Sequence, residues 1–451
     1  MSKLLLNKKL ALEKGIYKQF PEKVLQFGTG VLLRGLPDYF IHKANEQGVF
    51  NGSVVVVKST AQGGVGEFAA QDNLFTHCTR GVYKGQLVND SFINTSISRV
   101  IEAKSEWNAL LELAKSENIE VVISNTTEAG LILDKQDSLG PESPNSFPAK
   151  LLALLFARYQ HFNGDVNKGW VILPTELIPD NAILLKSIIK ELIQIHQLPL
   201  AFTTWLDDAN EFCNTLVDRI VPGKLNDKEA EELEEKLGYQ DNILISSEPF
   251  ALWAIESNKP STIAKISFAT IDERVVVAPA IVKFRELKLR LLNGTHTFCC
   301  AVAILAGFET VIQAMENKAF NTFINSLALD EIAPCVVGGN ISESDATQFA
   351  KNVLERFANP FIEHKWISIA LNFEEKMKMR NQYLMEKFAN HSTTVSERMS
   401  LGFAAFALYM GTAQNKTIHT ADFCADAKFI EKVEAWKTKI NSVGMKTILG
   451  I

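Results

Sequence analysis

The sequence has few cysteines, and they follow no metal-binding or disulfide pattern. Six cysteines are scattered over 451 residues, without a C-x-x-C pair and without a histidine at a metal-ligand spacing. Zinc sites and disulfide frameworks both need such clusters, so the pattern argues against both and favours a reducing compartment. We therefore predict a protein with no metal site.

Long apolar runs and basic clusters are also missing. The apolar run 298–308 is shorter than the roughly 20 residues that span a bilayer, and lysines interrupt the first nine positions too early for a secretory signal. The 46 basic residues are outnumbered by 52 acidic ones, with no basic patch for nucleic acid. We expect a cytoplasmic protein whose partners are neither membranes nor nucleic acids. Its oligomeric state is not readable from the sequence.

Strands and helices alternate over the first part of the chain. Segment 23–30 predicts a buried strand that ends in a Gly28-Thr29-Gly30 turn, followed by a helix over 31–47 and a β-branched strand over 53–57. Such a βαβ unit lets backbone N–H groups approach a pyrophosphate. The G-x-G-x-x-G fingerprint is incomplete because Leu33 occupies the third glycine position, so an ordinary βα turn is an equal alternative.

Polar residues follow several of the predicted strands. The second strand ends at Lys58 without the carboxylate that usually binds the adenosine ribose of NAD, which leaves NAD and NADP both open. Asn125, Thr127 and Glu128 follow the third strand, where a parallel sheet forms its ligand crevice. The alternative for this cluster is a polar turn that caps a helix.

The pattern changes twice along the chain. Segment 72–100 reads as an inserted hairpin with a turn at Lys84-Gly85, and after residue 283 the apolar residues recur at helical spacing. We predict an α/β fold: a Rossmann-like domain over residues 1–284 with the inserted hairpin and extra strands, then a mostly α-helical domain over 285–451.

Three polar residues stand at the start of the second domain. With 100° per residue, an α-helix places His296 about 80° and Asn293 about 140° around from Lys288, so an amine, an amide and an imidazole could face one cavity. Ligand sites favour domain boundaries such as this one. The alternative is structural: a solvated lysine, a capping asparagine and a buried core histidine.

These residues resemble the polyol-specific long-chain dehydrogenases, also called the mannitol dehydrogenase family. The family signature K-x4-N-x2-H is met by Lys288, Asn293 and His296. The likeness extends to the Gly28 turn with Arg34 after it, and to segment 212–222 with its V-D-R-I core. Separated motifs in the right order are more specific than any one of them alone.

Within the family, the chain is most similar to the hexuronate branch. Segments 124–130 and 173–178 resemble that branch, as does segment 367–372 followed by Lys376 and Arg380. Phe373 and Met377 depart from the uronate pattern N-S-x-x-K-F-x-x-R. The resemblance implies a small sugar acid or polyol as substrate, with D-tagaturonate and D-altronate as the expected pair. A fructuronate (mannonate) or mannitol-type enzyme, or a non-catalytic dinucleotide-binding protein, is the alternative.

The resemblance implies metal-independent hydride transfer, with NAD as coenzyme and NADP not excluded. Lys288 would exchange the hydroxyl proton, while Asn293 would donate to the developing oxyanion and His296 would orient the substrate. Eight residues are assigned to the coenzyme by the glycine turn, the strand ends and the family resemblance taken together. They are Gly28, Thr29, Gly30, Arg34, Lys58, Asn125, Thr127 and Glu128. Those assigned to the substrate are Asn181, Lys376 and Arg380, of which the last two could instead form a solvated helix face.

Overall fold

A computed structural model of the chain describes residues 4–59, 65–126, 130–392 and 394–451. They form two compact units. The first comprises Met1–Arg80 and Asn89–Ile281, and the second comprises Gly81–Val88 and Val282–Ile451. The predicted division between residues 284 and 285 stays a prediction.

The first unit is built on a six-stranded parallel sheet. The strands are β1 (Glu22–Phe27), β2 (Ser53–Lys58), β3 (Ile97–Glu102), β4 (Val121–Ser124), β5 (Val171–Pro174) and β6 (Glu211–Phe212). Their spatial order is β3-β2-β1-β4-β5-β6. This is the doubly wound Rossmann order, in which ligands bind at the carboxyl ends of the strands, where the order reverses. The predicted Rossmann-like fold is confirmed.

Alternate residues of the central strands enter two separate cores. Val55 and Val57 pack into one core, whereas Val54 and Val56 pack into the other, and all four are buried. Strand β2 is therefore covered on both faces, as its continuous β-branched run predicts. Each such valine contributes about 1.5–3 kcal/mol through burial, which fixes the register of the strand that carries Lys58.

The helix predicted over 31–47 is two helices. Leu36 has φ −126° and ψ −77°, and the second helix starts at Pro37. The residue before a proline is disfavoured in the α region, so the chain breaks there. The helices of the first unit are Lys8–Glu13, Val31–Gly35, Pro37–Glu46, Gly66–Ala70, Trp107–Ala114, Phe147–His161, Asn181–Ile195, Leu200–Ala209, Asp227–Leu237 and Pro260–Lys265.

The predicted hairpin and extra strands are present, and they form three smaller sheets of their own. Phe75–Tyr83 and Gln86–Asn94 form the hairpin, whose turn residues Lys84 and Gly85 have φ of 50° and 74°. Positive φ at both central residues is the requirement of a tight hairpin turn. The other strands are Leu4–Leu5, Thr215–Asp218, Tyr239–Gln240, Ile245–Ser247, Leu252–Glu256 and Val275–Ala278.

The second unit is mostly helical, also as predicted. Its helices are Val282–Leu287, Thr295–Leu305, Val311–Glu316, Lys318–Ser326, Ala333–Val336, Glu343–Phe357, Trp366–Ile369, Phe373–His391, Glu397–Ala413 and Ala427–Leu449, with π-helical turns at Lys288–Gly294 and Leu327–Ile332. A Cβ on Gly402 would lie 2.8 Å from the carbonyl oxygen of Phe298, so a glycine lets two of these helices approach closely. In the part of the chain that the structure describes, no helix has the length and apolar character needed to cross a membrane.

Candidate active site

A cavity of about 480 Å³ lies at the carboxyl ends of β1, β2 and β4. We call it the glycine cleft. It is lined by Gly28, Thr29, Gly30, Lys58, Ser59, Asn125, Thr126, Gly130, Ile132, Asp134, Asn145, Ser146 and Phe147. Five residues that the sequence assigns to the coenzyme therefore border one cavity: Gly28, Thr29, Gly30, Lys58 and Asn125. Thr127 and Glu128 lie outside the described residues.

The turn after β1 uses its two glycines differently. Gly28 has φ +131°, and an added Cβ would lie 2.8 Å from Leu33 Cδ1 and 3.2 Å from the Asn125 carbonyl oxygen. Gly30 has nothing within 4 Å of its Cβ position, so it leaves space for a ligand. The helix that follows, Val31–Gly35, has only five residues. We infer that the backbone N–H groups of the turn matter more to a bound phosphate than a helix dipole does.

Hydrogen bonds between β4 and β5 fix the wall of the cleft. The Asn125 amide donates to the Thr175 carbonyl and hydroxyl oxygens at 2.9 and 3.1 Å. Glu176 accepts from Ser124 Oγ at 3.2 Å and from the Thr126 N and Oγ1 at 3.0 and 3.1 Å. Burial nevertheless raises the pKa of Glu176 above its ordinary value. This carboxyl group holds the strand ends together from inside the protein.

The cleft adjoins a second polar cavity, and it contains a hydroxyl group without a partner among the described residues. The two cavities share Ser59 and Asn145, and the second measures about 600 Å³. Ser59 Oγ is buried and makes no hydrogen bond to any described residue. Buried hydroxyl groups normally have partners, so Ser59 is suited to a polar ligand. An open glycine turn, two joined cavities and this hydroxyl fit a dinucleotide.

Arg34 is away from the cleft lining. Its guanidinium is buried, donates to the Ile243 carbonyl oxygen, and lies 5.4 Å from the ring centroids of both Phe68 and Phe75. This environment favours a structural role over the coenzyme contact that the sequence predicts. Desolvation lowers the pKa of Arg34, although neighbouring carboxylates oppose that effect.

Asn181 is fully buried at the start of its helix. Its amide nitrogen donates to the carbonyl oxygens of Pro174, Glu176 and Thr215 at 3.0–3.1 Å, and its oxygen accepts the N–H groups of Thr215 and Ala182. Because both atoms of the Asn181 amide are hydrogen-bonded to the backbone, a structural role fits this residue better than the predicted substrate contact.

The stretch from Lys288 to His296 is helical, but not α-helical throughout. Lys288–Gly294 is a π-helix, and α geometry resumes at Thr295. The predicted angles, which assume 100° per residue, are therefore wrong over the first seven positions. A π-helix closes i to i+5, so Asn293 follows Lys288 by about one turn. Such turns are frequent at functional sites.

The helix Phe373–His391 braces this π-helix. Arg290 Nη1 donates to the carbonyl oxygens of Met379 and Arg380 at 2.7 and 3.0 Å, and the Asn381 amide donates to the Gly294 carbonyl oxygen at 3.0 Å. The wider turn is therefore held by side-chain hydrogen bonds from two directions.

Thr297 connects two of the predicted site residues. Its hydroxyl donates to the Asn293 carbonyl oxygen at 2.7 Å and accepts from Arg380 Nη1 at 3.2 Å. Arg380 and Asn293 are thus linked by side chain and backbone, although 87 residues separate them in the sequence.

His296 is enclosed by aromatic rings. It is buried, stacks on Phe357 with ring centroids 3.9 Å apart, and meets His364 edge-on at 5.3 Å. Its Nε2 has no hydrogen-bond partner among the described residues. The pKa of His296 is well below its ordinary value, mainly because burial removes the ring from water. Electrostatic repulsion from His364, Arg356, Arg380 and Lys376 lowers it further. The imidazole is consequently neutral and offers an unsatisfied nitrogen.

Lys376 and Arg380 lie one turn apart beside this histidine. Lys376 Nζ donates to the Ile369 carbonyl oxygen at 2.9 Å, and Arg380 bonds the Thr297 hydroxyl. Neither has a carboxylate partner among the described residues, and Arg380 Nε is buried without a partner there. Desolvation lowers the pKa of both, and Arg380 lowers that of Lys376 further. We call His296, His364, Lys376 and Arg380 the cationic cluster.

Some of these residues could have been found from the sequence. Thr297 follows the signature histidine directly, and Glu176 lies inside the segment 173–178 that resembles the hexuronate branch. Ser59 follows Lys58, but nothing local distinguishes it from a solvated serine. His364 and Phe357 have no local signal, because only tertiary packing brings them to His296.

Metal ligation has no candidate among the described residues: no group of three histidine, cysteine, aspartate or glutamate side chains there could hold an ion. The predicted metal independence stays a prediction.

Three comparisons relate the chain to known proteins. The altronate oxidoreductase of Bacillus subtilis strain 168 is 40% identical over 394 residues, which covers 87% of this chain and 80% of the relative. The crystal structure of D-sorbitol dehydrogenase in substrate-free form has a TM-score of 0.79 at 16% identity and covers 99% of this chain and 100% of that chain. Pseudomonas fluorescens mannitol 2-dehydrogenase, in ternary complex with NAD and D-mannitol, has a TM-score of 0.69 at 19% identity and covers 99% and 98%. The two likenesses to solved structures are of fold.

Two family models together match most of the chain. The mannitol dehydrogenase Rossmann domain matches residues 22–267, and the mannitol dehydrogenase C-terminal domain matches residues 280–447. The parallel sheet, the helical second unit and the K-x4-N-x2-H signature agree with these matches. The chain belongs to the mannitol dehydrogenase family.

Proposed function

We propose that this chain interconverts D-tagaturonate and D-altronate with NAD as coenzyme. It is a dehydrogenase of the mannitol dehydrogenase family, and its curated relative from Bacillus subtilis carries the name altronate oxidoreductase at 40% identity. The observation that carries the choice of a sugar acid is the pair Lys376 and Arg380 in the cationic cluster.

The argument for an acid is electrostatic. Cations removed from water are costly unless an anion or hydrogen bonds compensate them. Lys376 and Arg380 are half-buried, and their protein partners are neutral oxygen atoms rather than carboxylates. A substrate carboxylate would supply the missing negative charge, and Arg380 could bind it through two parallel N–H groups. A neutral polyol would leave both charges uncompensated.

The proton-transfer chemistry falls to the signature residues. A bound nicotinamide coenzyme would supply the hydride acceptor for the alcohol carbon, or the hydride donor for the carbonyl carbon in the reverse direction. In the oxidative direction the Lys288 amine takes the hydroxyl proton, and in the reductive direction it returns the proton. The Asn293 amide donates to the oxygen while negative charge develops on it.

His296 orients rather than titrates. Because burial and the neighbouring cations lower its pKa, it is neutral across the physiological range. A neutral imidazole offers one donor and one acceptor, which fixes the direction of a substrate hydroxyl without adding charge. The coenzyme residues of this proposal are those that line the glycine cleft.

A substrate panel tests the proposal. Purified protein is assayed by nicotinamide absorbance with D-altronate, D-mannonate and D-mannitol, and with NAD and NADP in turn. We expect the highest kcat/KM for D-altronate with NAD and the lowest for D-mannitol. Faster turnover of D-mannonate would identify fructuronate and D-mannonate as the substrate pair. Faster turnover of D-mannitol would refute the role of the cationic cluster in binding a carboxylate. The cytoplasmic location stays a prediction.

A further inference from the structure

Strand β2 ends in a positively charged residue, whereas a typical NAD-binding Rossmann fold has a negatively charged one at this point. In Rossmann folds an acidic residue at this point usually binds the adenosine ribose hydroxyls, whereas a basic residue there accommodates the 2′-phosphate of NADP. Here the residue is Lys58, which lines the glycine cleft. By sequence alone, the lysine favours NADP.

A carboxylate from the neighbouring strand changes that assessment. Lys58 and Glu102 are paired in register at the ends of β2 and β3, and Lys58 Nζ lies 3.5 Å from Glu102 Oε1. The Lys58 side chain is 8% exposed and that of Glu102 is 35% exposed. A pair with one nearly buried member is screened less by solvent than a surface pair, so Glu102 offsets much of the lysine charge.

The side chain and the backbone of Glu102 each make a further hydrogen bond. Ser105 Oγ donates to Glu102 Oε2 at 3.4 Å, and the Glu102 backbone N–H donates to Glu106 Oε2 at 3.0 Å. Glu106 and Lys104 line the second cavity together with Ser59. With Lys150 and Glu142, they give this cavity two lysines and two glutamates, whose charges balance.

We propose that Glu102 determines coenzyme selectivity by neutralising Lys58, so that the end of β2 takes the ribose hydroxyls of NAD, bound by Ser59, and rejects the 2′-phosphate of NADP. The proposal rests on the proposed dinucleotide coenzyme and deepens it. A phosphate monoester adds about 1.5 to 2 negative charges at neutral pH, which Glu102 repels and Lys58 alone would attract. A ribose hydroxyl needs only a neutral donor and acceptor, which the serine hydroxyl provides.

The test measures coenzyme binding without substrate, so that its outcome is independent of which sugar acid the enzyme takes. NADH and NADPH are titrated separately into the wild-type chain and into Glu102→Gln, with the change in nicotinamide fluorescence as readout. We expect the wild type to bind NADH more tightly. The variant should shift the ratio of the two dissociation constants roughly tenfold toward NADPH, the equivalent of one charge interaction at a partly buried site.

A second substitution separates selectivity from general damage. In the double variant Glu102→Gln, Lys58→Ala the gain in NADPH affinity should disappear, because the gain depends on the lysine charge. The matched control is Glu22→Gln, which removes the carboxylate that pairs with Arg99 near the start of the same strand β3. It should leave the NADH to NADPH ratio within about twofold of the wild type.

Three outcomes would overturn the proposal: tighter NADPH binding by the wild type, an unchanged ratio in Glu102→Gln, or a gain that persists without Lys58. Equal loss of both coenzymes in Glu102→Gln would show a structural role only. A chain that binds NADH selectively yet turns over none of the sugar acids would instead refute the proposed function and leave this inference standing.

Discussion

The glycine cleft and the cationic cluster differ in whether their charged side chains have partners of opposite charge. In the cleft, Lys58 is matched by Glu102, and the buried Glu176 is covered by three hydrogen-bond donors from Ser124 and Thr126. In the cluster, Lys376 and Arg380 have no carboxylate partner among the described residues. The lysine of the cleft therefore has a carboxylate partner, whereas the cluster carries an excess of positive charge.

This difference indicates which part of the reaction each region serves. A region that balances its own charge can select a ligand by shape and hydrogen bonding, as the open Gly30 and the Ser59 hydroxyl suggest for a dinucleotide. A region that leaves cations uncompensated gains most from an anionic ligand. The following predictions would break or sharpen this division, from the largest expected effect to the smallest.

Lys288→Ala should lower kcat by roughly 10³-fold, because general acid–base groups contribute about 10²–10⁴ to rate. NADH binding should be unchanged, since the glycine cleft is built from other residues. The control is Lys283→Ala, which removes a lysine on the preceding helix that pairs with Asp345 at 2.7 Å. Near-normal turnover in Lys288→Ala would remove the amine from the mechanism.

Arg380→Ala should raise KM for D-altronate by roughly 10- to 100-fold, which corresponds to the loss of a charged hydrogen bond. Uncharged D-mannitol should be affected much less, and steady-state kinetics with both substrates measures the difference. Lys378→Ala is the matched control, because that exposed lysine lies on the same helix and pairs with Glu374. Equal effects on acid and polyol would contradict the assignment of the cluster to a carboxylate.

Gly28→Ala should weaken NADH binding and destabilise the chain, because a non-glycine residue at φ +131° is strained and its Cβ would clash with Leu33 and Asn125. Gly15→Ala is the control for strain alone: Gly15 has φ +71° and nothing within 4 Å of its Cβ position. Both variants should lose roughly 1–2 kcal/mol of stability from backbone strain. Only Gly28→Ala should lose coenzyme affinity, measured by NADH titration.

The smallest effect is on the pH dependence of stability, and it should have opposite signs in the two regions. Burial raises the pKa of Glu176 above 4.5, so its contribution to stability is complete below pH 4.5 and is lost as the pH rises through the folded-state pKa. Burial lowers the pKa of His296 below 6.5, so its contribution is complete above pH 6.5 and is lost as the pH falls toward the folded-state pKa.

Thermal melts between pH 5 and pH 8 measure these signs. Relative to the wild type, Glu176→Gln should gain stability as the pH rises across this range, whereas His296→Gln should gain stability as the pH falls below 6.5. A shift in the same direction for both variants would contradict the contrast between an acid buried under the cleft and a base buried in the cluster.

Much of the fold was predictable because its signals are local. The β-branched run of β2, the Lys84-Gly85 turn and the helical spacing after residue 283 each depend on neighbours in the sequence. Pro37 is also plain in the sequence, but it acts by keeping Leu36 out of the helical conformation. The spacing of apolar residues does not show that effect. The helix over 31–47 was therefore predicted as one element.

The site was predictable only as far as motifs reach. The glycine turn and the K-x4-N-x2-H signature gave the right segments, yet the π-helix at Lys288–Gly294 changes the angles between the signature residues. Arg34 and Asn181 stand in matching motifs, but the structure gives both of them protein partners. The role of Glu102 could not be predicted from its own strand, because only the pairing of β2 with β3 brings it to Lys58.

The π-helix compensates for the five-residue spacing between the lysine and the asparagine of the signature. Its turn contains one residue more than an α-helical turn, and Arg290 and Asn381 hold that extra residue in place. Loss of a single residue between Lys288 and Asn293 would let the segment relax to α geometry. The asparagine would then follow the lysine by four α-helical residues, which is again about one turn. An α-helix with the present spacing would instead place the amide about 140° around from the amine, so the π turn is what brings Asn293 back to about one turn from Lys288.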